Sequence, residues 1–137
     1  VREQITALGL IDRVLRPGRV AATDLDVLYR EAAVMAFPSL YEGFGLPLLE
    51  AMVRGCPVVA SSVGGLPEVG GTAVRLVDPV DIDGWVAALT EVLDDPGYRS
   101  TMVTDGLEQS ARFRWSRSAV ALAELYRELP RNRAIAP

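Results

Sequence analysis

Short apolar runs rich in β-branched residues alternate along this chain with segments of helical periodicity, and that alternation limits it to an α/β fold. Val34–Phe37, Pro57–Ser61 and Ala73–Val77 read as strands, closed by Pro38-Ser39, by Gly64-Gly65 a few residues on, and by Asp78-Pro79. A fourth, ragged run from Arg13 to Val20 contains Pro17, which has no N–H to give to a ladder, so it reads as a short, edge or bulged strand. Helical patterns cover Val1–Leu8, stopped by Gly9, and a stretch capped by Thr23 or Asp24 that sets Leu25, Leu28 and Tyr29 on one face. Further helices are expected at Pro47–Arg54, Ile82–Leu93, Pro96–Phe113 and Ser116–Leu129, the last with a buried stripe of Leu122, Leu125, Tyr126 and Leu129. Pro130 ends that helix, leaving a domain of residues 1–129 and a tail of 130–137. The architecture expected is a Rossmann-like three-layer α/β/α arrangement with a parallel sheet. Four strands in this order make only part of a doubly wound sheet, so the first βα elements are expected to be missing.

Composition narrows the chemistry. The 137 residues, half of them hydrophobic, can bury one core and are few for two domains. The 14 basic and 18 acidic residues leave a formal charge of −4, which argues against a nucleic-acid partner; an anion would need a local site. Every basic residue is arginine, so the chain has no histidine base, no histidine metal ligand and no Schiff-base lysine. Cys56 is alone, reads as a small buried residue, and fits a reducing, cytoplasmic compartment. The longest uncharged apolar stretch, Ala32–Tyr41, falls short of the ~18 to 20 residues that cross a bilayer. A start at Val1-Arg2-Glu3-Gln4 reads as the inside of a helix, and a fragment is expected.

The strongest site candidate is the strand, turn and helix spanning Phe37–Met52, because open α/β sheets bind ligands outside the carboxyl ends of their strands. Gly43 and Gly45 let the backbone approach a ligand, and the following helix offers unpaired N–H groups and a partial positive charge that suit phosphate. Pro47 donates nothing, so the amides of Gly45, Leu46, Leu48 and Leu49 are the expected donors. Glu42 and Glu50 frame the turn, and each ionised carboxylate can accept from two adjacent hydroxyls. The plain reading of the pair is an exposed loop residue and a charge complementing the helix dipole. Gly64 and Gly65 read as a tight turn beside the pocket, Glu68 as a cap for the turn that follows, and Trp115 and Tyr126 as core or interdomain packing.

The segment SLYEGFGLPLLEAMVRGCPVVASSVGGLPEV resembles the donor-binding core of the family 4 retaining glycosyltransferases, which have the GT-B fold; its E-x7-E motif is Glu42 through Glu50. The resemblance extends from GRVAATDLDVLYREAAVMAFPS through GGLPE and LVDPVD to RFRWSRSAVALAELYREL, covering nearly the whole chain. Its closest likeness is to members that transfer mannose or related hexoses in bacterial polysaccharide and glycolipid synthesis. The resemblance implies that Glu42 contacts hydroxyls of the donor sugar, that the backbone of Gly43, Phe44, Gly45 and Leu46 lines the sugar and diphosphate, and that Glu50 binds the ribose. It also puts Gly18, Arg19 and Val20 where backbone meets the base, although a plain strand end explains them as well, and no phosphate role is assigned to Arg19.

The reaction implied is transfer of a hexose from a nucleoside diphosphate sugar, of the GDP-mannose or UDP-glucose type, to a hydroxyl with retained configuration and no cofactor or bound metal. The arginine and lysine that clamp the diphosphate in such enzymes would lie in the missing portion, with the acceptor-binding N-terminal domain. Any peripheral membrane contact would also be made there, and the isolated chain is expected to be inactive. In such enzymes the last helix returns toward that N-terminal domain, so part of its apolar face is expected to be uncovered here. The alternatives are a non-catalytic nucleotide-binding or interaction module, or a GT-B epimerase or phosphorylase. The last two use histidines or a lysine-bound pyridoxal phosphate, which this chain does not contain but the missing half could supply, so it is the E-x7-E context that decides against both.

Overall fold

Three of the four apolar runs become strands and the first does not. The computed structural model describes residues 1–128. Its elements in order are α1 (Arg2–Ala7), α2 (Ala22–Glu31), β1 (Met35–Phe37), α3 (Leu46–Val53), β2 (Val58–Ser61), α4 (Leu66–Gly70), β3 (Arg75–Val77), α5 (Ile82–Asp94), α6 (Pro96–Ser110) and α7 (Trp115–Glu128). The sheet has the order β1-β2-β3 and is parallel throughout, with Met35 opposite Val58 and Val59 opposite Arg75. The expected strand over Arg13–Val20 is corrected to irregular backbone. Pro17 lacks a ladder donor, and Gly18 turns the chain with φ +72°, outside the range of regular strand backbone.

β2 shows why the fold has three layers. All four of its residues are buried, and successive side chains point to opposite faces of the sheet. Val58 and Ala60 join Leu48, Ala51 and Met52 of α3, Leu66 and Val69 of α4, and Tyr29 of α2. Val59 faces the other way and joins Val77 of β3, Ala88 and Val92 of α5, and Met102 of α6. Leu48 has no exposed surface, and burying such a side chain stabilises the fold by roughly 1.5 to 3 kcal/mol. Cys56 is buried as expected, and that burial pushes its thiol pKa up. The result is the α/β class with a parallel sheet covered on both faces, as expected.

The local signals for helix ends hold in part. Gly9 and Gly55 adopt positive φ just beyond α1 and α3, the conformation that ends helices. Neither Thr23 nor Asp24 caps α2: the helix begins earlier, at Ala22, so both lie inside its first turn. Asp24 there still complements the partial positive charge of the helix start. α6 stops at Ser110, short of Phe113.

The stripe on α7 is open rather than buried as its spacing suggested, which matches the expectation that part of this last helix's apolar face is left uncovered. Leu122, Leu125 and Tyr126 are 51%, 54% and 66% exposed, and no described residue of α7 is buried. Trp115 is 85% exposed, so neither it nor Tyr126 belongs to the core of this chain. The spacing made the helix amphipathic, but among the described residues no element covers its apolar face. Leu129 and the proposed tail 130–137 lie outside the described residues, and so does the boundary between them.

Candidate functional site

Because β1 and β2 run parallel, their carboxyl ends meet at one edge of the sheet, where the loop of residues 38–45 packs on the turn of residues 62–65. The Gly65 N–H donates to the Glu42 carbonyl at 3.0 Å. A Cβ on Gly64 would overlap that same carbonyl oxygen, and one on Gly65 would lie 2.5 Å from the Gly43 oxygen. The Gly64-Gly65 pair is therefore the floor on which the backbone of Glu42 and Gly43 rests. Glu68 does not cap α4: Gly65 holds the N-cap position, and Glu68 sits exposed within the helix's first turn.

Gly45 turns this loop into α3. It is buried, has φ +92° and ψ +52°, and holds the N-cap position, with Leu46 first in the helix and Pro47 second. Any side chain at Gly45 would run into Leu66. The expected set of free amides is corrected here, because the N–H groups of Leu48 and Leu49 donate to the Gly45 carbonyl at 3.0 and 3.4 Å. The N–H groups of Gly45 and Leu46 make no hydrogen bond among the described residues. They open the helix at its positive end, which is the chemistry that receives phosphate oxygens.

The two glutamates are each held by a neighbour. Glu42 is half-buried, and the Ser39 hydroxyl lies 3.0 Å from its Oε1 and 3.2 Å from the Tyr41 carbonyl, with one proton to give. Glu50 is the fifth residue of α3 and exposed; the Tyr29 hydroxyl donates to its Oε2 at 3.3 Å. Tyr29 reaches it from α2, where its ring is 9% exposed and lies under the Arg54 guanidinium, 5.5 Å from centroid. Arg54 also donates to the Glu50 backbone carbonyl and to Asp26, and Asp26 accepts from Arg30 as well. The Arg30 hydrogen bond, seconded by Arg54, holds the Asp26 carboxyl below its usual pKa. Burial first, and then the Glu50 charge, push the Tyr29 phenol pKa up.

Phe44 is 43% exposed at the tip of the loop, and its ring meets Phe113 edge-on with centroids 5.7 Å apart. Leu46, 54% exposed, shares with Phe44, Leu49, Phe113, Arg114 and Trp115 the wall of an open groove beside the turn. Gly43 is exposed, with nothing within 4 Å of where a Cβ would stand. Gly18 and Arg19 are exposed and Val20 is half-buried; among the described residues no hydrogen bond ties these three to the turn. The structure thus assembles Glu42, Gly43, Phe44, Gly45, Leu46 and Glu50 around one turn. Sequence reading missed Ser39, Tyr29 and Phe113; Tyr29 was visible only as the polar-tipped member of an apolar face.

Residues 1–109 match the family described as Glycosyl transferases group 1. The chain is 42% identical over 112 residues to O-antigen chain mannosyltransferase B of Escherichia coli, covering 82% of this chain and 29% of that protein. It is 38% identical over 126 residues to MMP alpha-(1->4)-mannosyltransferase of Mycolicibacterium hassiacum, covering 89% of this chain and 31% of that one. Among solved structures it is similar to HepE of Anabaena in complex with UDP, with a TM-score of 0.84, 30% identity, and coverage of 93% of this chain and 36% of that one. The chain therefore spans about a third of the length of these relatives.

Proposed function

The chain belongs to the group 1 glycosyl transferases, whose GT-B members are its structural neighbours, and from that premise we propose that it is the donor-binding part of a two-domain, retaining hexosyltransferase. The observation that carries the reading is the α3 N-terminus at the carboxyl edge of a parallel sheet, with two free N–H groups flanked by Glu42 and Glu50. In the proposal the diphosphate of a nucleotide sugar meets the Gly45 and Leu46 amides, Glu42 accepts from hydroxyls of the hexose, and Glu50 accepts from the two ribose hydroxyls. Gly43 and Phe44 line the sugar side, and the backbone of Gly18 and Val20 lies toward the base. The donor is of the GDP-mannose or UDP-glucose type, supported by relatives named mannosyltransferases and by a similar structure that holds UDP.

In the reaction proposed, the bond from the anomeric carbon to the diphosphate breaks while a bond to the acceptor hydroxyl forms on the same face. The acceptor proton passes to the departing phosphate oxygen. Neither metal nor cofactor enters this scheme. The chain's contribution is to position the donor and to stabilise charge growing on the diphosphate through the helix-terminal amides. Glu42 is accordingly a donor-positioning residue rather than a general base. We place the enzyme in the cytoplasm, with a separate N-terminal domain holding the acceptor. Among the described residues no helix is long and apolar enough to cross a membrane.

Calorimetric titration of the two-domain enzyme with GDP-mannose, UDP-glucose, GDP and UDP tests the site. Glu50→Ala removes a charged acceptor of two hydrogen bonds and is expected to weaken the preferred nucleotide roughly tenfold to hundredfold. An unchanged affinity would sink the ribose assignment. The isolated chain is expected to give no product in a mass-spectrometric transfer assay, because it lacks an acceptor domain; turnover by the purified chain would overturn the division of roles.

A further inference from the structure

We propose that Tyr29 is a positioning residue for the donor's ribose, holding the Glu50 carboxylate in the orientation that receives the two vicinal hydroxyls. The inference rests on the ribose reading of Glu50 and adds the residue that makes that glutamate selective.

Glu50 is an exposed side chain on the first turns of α3, and a glutamate in that setting samples several rotamers. Among the described residues one side chain restrains its carboxylate: the Tyr29 hydroxyl, donating to Oε2 at 3.3 Å from a different helix. The donor is itself fixed. The Tyr29 ring belongs to the core cluster with Leu48, Ala51 and Met52, and the Arg54 guanidinium lies 5.5 Å from its centroid. Arg54 is anchored in turn by Asp26, with their ion pair joining α2 to α3, and by the Glu50 main-chain carbonyl at 2.9 Å.

The chemistry of the acceptor explains what this arrangement achieves. A carboxylate offers about four lone-pair sites over its two oxygens. Tyr29 occupies one site on Oε2, which leaves both sites of Oε1 and one of Oε2 for incoming donors. Two adjacent hydroxyls match two such sites on one carboxylate, and a carboxylate already oriented loses less freedom when they bind. Tyr29 does not touch the nucleotide in this scheme. Its effect should therefore appear as a preference for nucleotides that carry both ribose hydroxyls.

The test uses the two-domain enzyme and whichever of GDP and UDP binds it more tightly, alongside the 2′,3′-dideoxy form of the same nucleotide. Tyr29→Phe keeps the buried ring and deletes only the hydroxyl. It is expected to weaken the ribonucleotide about threefold to tenfold, to leave the dideoxy form unchanged, and to leave the melting temperature nearly unchanged. An equal loss for both nucleotides would assign Tyr29 to packing alone and overturn the proposal, as would an unchanged ratio. Glu50→Ala separates the two levels. If it lowers the ratio while Tyr29→Phe does not, the ribose reading stands and the Tyr29 proposal fails; if Glu50→Ala leaves the ratio unchanged, both fail.

Discussion

Replacing Gly64 with alanine is expected to destabilise this chain by about 3 kcal/mol, the sum of a left-handed backbone penalty and an overpacking cost. The residue has φ +55°, where a Cβ is strained, and its Cβ would fall on the Glu42 carbonyl oxygen. That oxygen is main chain already engaged by the Gly65 N–H at 3.0 Å, so it cannot swing away as a flexible side chain would. The loop must lift or the turn must open, and either movement displaces Glu42. Gly43→Ala is the control: it lies in the same loop without positive φ and with nothing within 4 Å of the added atom. Urea unfolding followed by circular dichroism should show a large fall in midpoint for Gly64→Ala and a shift within about 0.5 kcal/mol for Gly43→Ala. Equal midpoints for the two variants would refute the claim that Gly64 is the floor of the site.

The largest functional effect is expected from Glu42→Gln in the two-domain enzyme. Glutamine keeps the size of the side chain and can still accept from Ser39, but it loses the charge and puts an amide donor where, in the proposed donor complex, one carboxylate oxygen faces the sugar. Misplacing a reacting centre by about an ångström costs roughly a hundredfold in rate, and a fall of that order in kcat is expected. Affinity for the free nucleoside diphosphate, which has no hexose for Glu42 to contact, should change less than threefold. Steady-state transfer kinetics together with calorimetry of the free nucleotide would check both halves. A loss confined to nucleotide affinity would refute the role in positioning the hexose that we propose for Glu42.

Much of this was legible one element at a time. The apolar runs at Val34, Pro57 and Ala73 became β1, β2 and β3, and Glu42 to Gly45 formed the turn expected between strand and helix. Pro47 permitted the start of α3, although one place further in than its preference implies. What misled were features whose outcome depends on distant partners. Arg13–Val20 has the composition of a strand but makes no strand pairing among the described residues. Leu122, Leu125 and Tyr126 have the spacing of a buried stripe but no element over them among the described residues, an outcome that the resemblance implied and the spacing did not. The miss at Leu48 and Leu49 was local instead: Gly45 is the N-cap, and its carbonyl accepts the first bonds of the helix from both amides.

The sequence by itself determined the α/β class, the turn that the two glutamates flank, and the absence of histidine and lysine chemistry, because periodicity, glycine placement and residue type are local properties. Tertiary structure alone decided how that turn works. Only packing could set Gly64 beneath Glu42, or bring Tyr29 of α2 to Glu50 across 21 positions of chain. Spacing along a helix shows which face is apolar or acidic, but what that face meets depends on how the layers stack.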